Sequence, residues 1–399
     1  MRGEFDDHPP AGERGVSEAR ADVVVIGGGV RGCACAYYLA KAGVAVTLLE
    51  KEGIASGASS CAFAQVNVSH KDPAYYAALS LESARLFDGL EDELGEPFGY
   101  RPGGSLGPLA EMEQQIPAMQ AYIGRQNRVP GLQLEYLPGD ELRALEPALS
   151  THVLGGCFCA QDAHINPYLL TVAFSRAARR LGATIMTGTR ATGIERENER
   201  VQAVVTDRGR IATRTAVVAA GIDMPEVGRM IGVTIPVVPS RGQVITTERT
   251  RPLLRWPLAT VRQTEDGSVL IGMTNEFIGR DRGVRYDDAA RNARRALEVF
   301  PVLRDLQVVR LWSGLRPFTV DGLPILGPVA HLPSVVLATG HSGVTLAPVT
   351  GTVVRDLVTK GSTAVDITEC TVERYSSVRY NFAMHAYRRS QPPARPVQG

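Results

Sequence analysis

The stretch ADVVVIGGGVRGCACAYYLAKAGVAVTLLE, Ala21 to Glu50, decides the fold. An apolar run, Val23 to Ile26, meets a Gly-rich turn, and a small-residue amphipathic segment leads to a second apolar run, Val46 to Leu49, closed by Glu50. This pattern reads as strand, turn, helix, strand. Gly27, Gly29 and Gly32 have the G-x-G-x-x-G spacing. The first allows a tight turn, the second lets backbone approach a pyrophosphate, and the third lets helix pack on strand. The helix N-terminus, starting at Val30, offers unpaired N–H groups and a positive dipole end to that pyrophosphate. Glu50 can bond both hydroxyls of an adenosine ribose and would repel a 2′-phosphate, which favours FAD or NAD over NADP. The motif does not choose between those two.

Composition bounds the remaining possibilities. The 399 residues suffice for two domains. Lys plus Arg number 43 against 42 Asp plus Glu, so there is no global pull toward nucleic acid or acidic membrane. The most apolar stretch, Val335 to Val354, is interrupted by Gly340, His341, Gly343, Pro348 and Gly351, and no membrane span is expected. Residues 1–20 are polar and read as a disordered extension, which the end of the chain from Gln391 resembles; 376–399 reads as a C-terminal tail. No signal peptide is apparent, and a cytoplasmic location is expected. None of the six cysteines shows C-x-x-C spacing or completes a metal set; reduced, packed thiols are expected and no metal.

Farther along, Pro167 to Leu181 reads as an amphipathic helix, with strand-like runs at 184–186, 201–206, 216–220, 237–247, 269–273, 307–315 and 334–338. Helical periodicity marks 72–94, 111–126, 287–300 and 348–358. The layout suggests a split nucleotide-binding domain from 21–70, 145–230 and 315–375. Segments 71–144 and 231–314 would build a second, substrate-binding domain. Gly340-His341-Ser342-Gly343-Val344 superficially resembles a hydrolase elbow, but Val344 stands where glycine is required.

Four segments, in order, resemble the D-amino-acid-oxidase-like FAD-dependent oxidoreductases, which include glycine oxidase, sarcosine oxidase and amino-acid dehydrogenases. They are GGGVRG…VTLLE, SGASS, VVAAGID, and the C-terminal pair GLRPFTVDGLPILG and ATGHSGVTLAPVTG. The resemblance covers about 21–375 and implies an α/β fold. Its parts would be a discontinuous Rossmann-like FAD-binding domain of the glutathione-reductase type and an α+β substrate domain with a mixed or antiparallel sheet. It resolves the cofactor as FAD. It further implies that Gly27, Gly29, Val30 and Gly32 contact pyrophosphate and Glu50 the ribose. Lys51 would lie by adenine, with Ser56, Ser59 and Ser60 on phosphate or ribityl oxygens. Ala191 would grip adenine through its backbone, and Ala220 and Gly221 would pass beside the pyrophosphate. Asp321 and Gly322 would approach the ribityl chain, and the turn Gly340, His341, Ser342, Gly343, Val344 and Thr345 would point N–H groups at flavin O2.

For substrate, the resemblance implies Arg316 as a carboxylate clamp, since a guanidinium fork fits a carboxylate through two parallel bonds. The alternative for Arg316 is a loop tie through backbone carbonyls. His341 and Ser342 would contact the isoalloxazine or substrate. His70, Asn67 and Gln65 are candidates for lining the flavin, and Arg241 reads as structural. Leu315 stands near where sarcosine oxidases carry the flavin-linking Cys, so noncovalent FAD is expected. The implied reaction moves hydride from a C–H beside an amine nitrogen to flavin N5 and yields an imine. The acceptor would be oxygen, a quinone or a partner electron-transfer subunit. Three readings stay open: a self-contained oxidase or dehydrogenase of a D-amino acid, N-alkyl glycine, imino acid or opine; the flavin β-subunit of a multi-subunit dehydrogenase; and a non-catalytic flavin-binding assembly protein.

Overall fold

The computed structural model describes residues 19–272 and 274–376. The N-terminal extension and the C-terminal tail fall mostly outside this range, as does Met273 at the end of one expected strand. The expected strand–turn–helix–strand unit forms as Val23–Ile26, Val30–Lys41 and Val46–Glu50. Both strands are buried throughout, as unbroken apolar runs require in a parallel sheet covered on two faces.

These two strands are neighbours within a six-stranded sheet. From one edge its order is Ile325–Val329, Leu332–Thr339, Thr215–Val218, Val23–Ile26, Val46–Glu50 and Thr184–Thr187. All pairs are parallel except the first, which is antiparallel. The helices Val30–Lys41, Pro167–Arg180 and Ala347–Lys360 pack together on one face, in a core running from Cys33 and Leu39 to Phe174 and Val353. Asn166 starts the second helix with a side chain that accepts the N–H groups of Tyr168 and Leu169, and Pro167 takes its first position. A four-stranded sheet, Ala19–Arg20, Gly209–Ala212, Arg200–Thr206 and Ala191–Glu197, completes the nucleotide side. Of those strands only the run 201–206 stands out in sequence, because the other three are short or half exposed.

A second assembly of strands is antiparallel. Val237–Arg249 and Val308–Thr319 pair along almost their full lengths, with Ser268–Ile271 and Val261–Gln263 added beyond. A three-stranded sheet joins Ser105–Ala110, Gly155–Cys159 and Leu134–Pro138. Gly155–Cys159 therefore hydrogen-bonds to segments from 71–144, and Val308–Thr319 runs across residue 315. An α/β parallel sheet beside an antiparallel body is the expected fold class. No helix among the described residues is long and apolar enough to cross a membrane.

Candidate active site

The Gly-rich turn is shaped by what cannot fit there. Gly27 has φ +115°, and a β-carbon on it would overlap the Ala219 carbonyl. A β-carbon on Gly32 would overlap the Gly27 carbonyl oxygen, so helix and turn touch through bare backbone. Gly28 N donates to Glu50 Oε2 at 2.7 Å, and Glu52 N donates to Oε1 at 2.8 Å. This buried carboxylate keeps a lone pair on each oxygen, which suits a vicinal diol. Val30 N donates to Ser59 Oγ at 2.9 Å, which brings the SGASS segment onto the helix start. Ala219 N donates to Ile26 O, so Ala220 and Gly221, at φ +57°, follow directly beside the turn. The glycine cradle, the diol-ready carboxylate and the helix N-terminus together fit the adenosine-diphosphate part of FAD.

Other expected contacts have protein partners of their own. Lys51 Nζ donates to Asp223 Oδ2 at 2.6 Å, and Arg280 binds the second oxygen of the same carboxylate. Ser56 is partly buried, whereas Ser60 is exposed with its hydroxyl 3.3 Å from the Gly57 carbonyl. Ala191 opens the strand Ala191–Glu197, opposite Thr206. Asp321 receives Arg374 Nε at 2.8 Å, Tyr375 OH at 2.7 Å and Leu323 N at 3.0 Å, while Gly322 turns the chain at φ +79°. Paired in this way, the Asp321 carboxyl lies below its ordinary range: its own burial opposes this, but the Arg374 and Tyr375 hydrogen bonds outweigh it.

The second cluster forms where strand Leu332–Thr339 ends. Gly340 has φ +114° and Ser342 φ +57°, a left-handed conformation that costs a residue with a side chain about 1–3 kcal/mol unless neighbours hold it. They do hold it. Arg31, buried in the first helix, donates from Nη1 to the Thr339 carbonyl at 2.8 Å and from Nη2 to the His341 carbonyl at 2.9 Å. Lys71 Nζ and Tyr76 OH each donate to Ser342 Oγ at 2.8 Å. Thr345 Oγ1 accepts from Asn67 N and donates to the Gln65 carbonyl, which seats the 65–70 segment against the turn. Gly343 and Val344 lead into the helix Ala347–Lys360. The His341 ring stacks on Phe318, with centroids 4.4 Å apart and planes 21° apart. Desolvation pushes its pKa well below the ordinary value, and the positive fields of Lys71, Arg316 and Arg31 push the same way.

Arg316 pairs with Ser240 across the antiparallel sheet. Its Nη1 donates to the Thr274 carbonyl at 2.6 Å and to Asn275 Oδ1 at 2.9 Å, and its guanidinium lies over Gly242. These contacts are a loop tie through a carbonyl, and the charge of the guanidinium reaches His341. Arg241 is structural in its contacts. It is fully buried and bound to Glu276, Asp281 and the Gly283 carbonyl.

Asp162 was not singled out in the sequence, and it organises the 67–70 segment. One oxygen accepts Val68 N (2.6 Å) and Ser69 N (3.2 Å). The other accepts Ser69 Oγ (2.7 Å), Ser105 Oγ (2.6 Å) and Asn67 Nδ2 (3.1 Å). His70 projects from this segment at φ +60°, its Nδ1 2.9 Å from Ser69 Oγ and its ring stacked on Tyr122. Among the described residues there is no group of His, Cys, Asp and Glu able to hold a metal.

Known proteins share this architecture. The chain is 30% identical over 404 residues to hydrogen cyanide synthase subunit HcnC of Pseudomonas aeruginosa, covering 89% of this chain and 96% of that one. It is 31% identical over 374 residues to an opine oxidase subunit of Agrobacterium tumefaciens, covering 89% and 97%. The crystal structure of glycine oxidase from Geobacillus kaustophilus matches with a TM-score of 0.84 at 28% identity, covering 89% of this chain and 99% of that one. The family described as DAO, FAD dependent oxidoreductase, matches residues 22–357. With its glycine cradle, its buried Glu50 carboxylate and its cation-lined turn, the chain belongs to the DAO family of FAD-dependent oxidoreductases.

Proposed function

We infer that this DAO-family oxidoreductase, which acts on amino-acid or amine substrates, oxidises the C–N bond of a substrate that carries a carboxylate beside its nitrogen. The observation that carries this reading is the grouping of three cations at the Gly340–Thr345 turn: Arg31 on the Thr339 and His341 carbonyls, Lys71 on Ser342 Oγ, and Arg316, whose positive field reaches the partly buried His341. Cations grouped around a desolvated ring favour an anionic ligand, and a guanidinium presents two parallel donors to a carboxylate. Arg316 orients the substrate through its carboxylate. Phe318 and His341 form a flat wall, and the Gly340–Thr345 turn holds the reactive end of the cofactor. Bound FAD supplies the acceptor for the hydride beside nitrogen, and the imine product then meets water. Leu315 offers no nucleophile, which supports noncovalent attachment.

The test is Arg316→Met in the FAD-loaded protein, with a panel of D-amino acids, N-methyl glycines, cyclic imino acids and opines scored by anaerobic flavin bleaching. The apparent substrate affinity should fall at least tenfold, in line with the loss of a charge-assisted pair worth about 1.5–3 kcal/mol. An unchanged affinity refutes the clamp.

A second reading is that the chain is the flavin subunit of a larger enzyme. Two relatives matched over nearly their whole lengths bear the word subunit in their names. This reading expects substrate to bleach the flavin once in the isolated chain, with sustained turnover only after a partner is added. Multiple turnovers with oxygen or a dye alone refute it.

A further inference from the structure

We propose that Lys71, Tyr76 and Ser342 form a positioning relay that fixes His341 as a neutral ring with its proton on Nε2, so that the ring offers the site an N–H donor and no positive charge.

The hydrogen bonds force this arrangement. A serine hydroxyl has one proton and two lone pairs. Lys71 Nζ, an ammonium that can only donate, takes one lone pair of Ser342 Oγ at 2.8 Å. The Tyr76 hydroxyl lies at 2.8 Å and takes the other. Tyr76 has no other hydrogen-bond partner for its hydroxyl among the described residues, and its side chain is buried, so reversing its bond would strand its proton away from water. The Ser342 proton is then left for its third neighbour, His341 Nδ1, at 3.2 Å. A nitrogen that accepts carries no proton, so the ring proton sits on Nε2.

The remaining surroundings agree. Arg31 fixes the backbone of the same residue through its carbonyl, and Phe318 fixes the ring plane. The charged groups that face the ring are Lys71, from the segment before the helix Ala74–Arg85, Arg316, from strand Val308–Thr319, and Arg31, from the first helix. All are cations and all resist a second proton on the ring. Lys71 and Arg31 have no carboxylate partner among the described residues, so their fields at His341 are not cancelled nearby. Ser342 is held in its left-handed conformation by the same three contacts, so relay and turn form one unit. Lys71 acts through Ser342 and is a positioning residue. That the Nε2–H donor meets substrate rests on the reading under Proposed function.

The experiment uses the FAD-loaded full chain labelled with ¹⁵N-histidine. The His341 signals are identified by their loss in His341→Gln and by contact with the Phe318 ring. Expected is a protonated Nε2 and a bare Nδ1 between pH 6 and 8. In Lys71→Met, Ser342 regains a lone pair and the ring loses a nearby cation. Its titration should rise by about one pH unit or more, a tenfold change in proton affinity, and the pH profile of kcat/KM should acquire the same inflection. Lys71→Arg should restore the wild-type behaviour. A proton on Nδ1 in the wild type, or a His341 titration unmoved by Lys71→Met, overturns the relay. If Lys71→Met does not fold, the wild-type tautomer still decides. The expected tautomer together with an Arg316→Met variant of unchanged substrate affinity overturns the reading of the substrate site and leaves the relay standing.

Discussion

Asp162→Asn isolates the buried carboxylate that organises residues 67–70. In the wild type five donors converge on it, two on Oδ1 and three on Oδ2. The amide keeps one oxygen, which can retain the Val68 and Ser69 backbone N–H groups. Its NH₂ then faces three donors. The Ser69 and Ser105 hydroxyls can rotate to accept, but the Asn67 amide must flip or lose its bond. Hydrogen bonds to a charged group contribute about 1.5–3 kcal/mol each, and rotation recovers part of the two hydroxyl bonds. The net cost should be about 3 kcal/mol, on the order of a hundredfold in the folded-to-unfolded ratio. The assay is equilibrium urea unfolding at pH 7.5, followed by circular dichroism. Asp162→Ala, which removes both oxygens, should cost more than Asp162→Asn. A loss below about 1 kcal/mol for Asp162→Asn would refute the claim that this carboxylate is the anchor.

Gly32→Ala should drive the first helix off the Gly27 turn; overpacking of this kind costs about 1–3 kcal/mol or more, and the variant should purify with substoichiometric FAD, whereas full flavin content would count against the cradle. His164 is pushed down to about 4, first by burial and then by Arg262 and Arg101. The unfolded chain binds that proton near pH 6.5, so stability should be complete above about 6.5 and fall as pH drops toward 4, a slope that His164→Gln should flatten in melting curves. Burial pushes the Cys35 and Cys157 thiols up to about 12 and Cys370 to about 11, and it raises Cys33 and Cys159 further. A thiol reagent at pH 8 should therefore label these five only on unfolding, and two or more fast thiols in the native protein would contradict the packing.

The nucleotide unit was legible because its signal is local. Spacing of glycines, two apolar runs and one acid fall within thirty residues, and the helix and strand periods change where the chain turns. The C-terminal turn was legible only through resemblance, since GHSGVT has no period of its own. Asp162 gave no signal, because its partners lie up to 95 residues away and an acid after Gln161 reads as surface. Lys71 was hidden likewise: in SHKDP it looks like a solvated loop lysine, and its partner is 271 positions on. Arg31 sits among small residues of a glycine motif, where nothing local announces a fork aimed at two carbonyls of a distant turn. Asp321 and Lys51 were expected to face the cofactor, yet their polar atoms meet Arg374, Tyr375 and Asp223. Motif position placed these residues near the ligand, while side-chain pairing was set by segments the motif does not contain.

The order of strands in the parallel sheet has a consequence for synthesis. Val23–Ile26 and Val46–Glu50 are made before the other strands of this sheet, but the strand that covers the free edge of Val23–Ile26, Thr215–Val218, begins about 165 residues after Glu50, a delay of roughly 8–33 s at ordinary elongation rates. Leu332–Thr339, which carries the turn that Arg31 grips, comes later still. Through that interval two strongly apolar strands and a helix buried along nearly its whole length stand without most of their covering partners. The apolar faces of this early unit therefore reach their native surroundings only after the distant strands that cover them have been made.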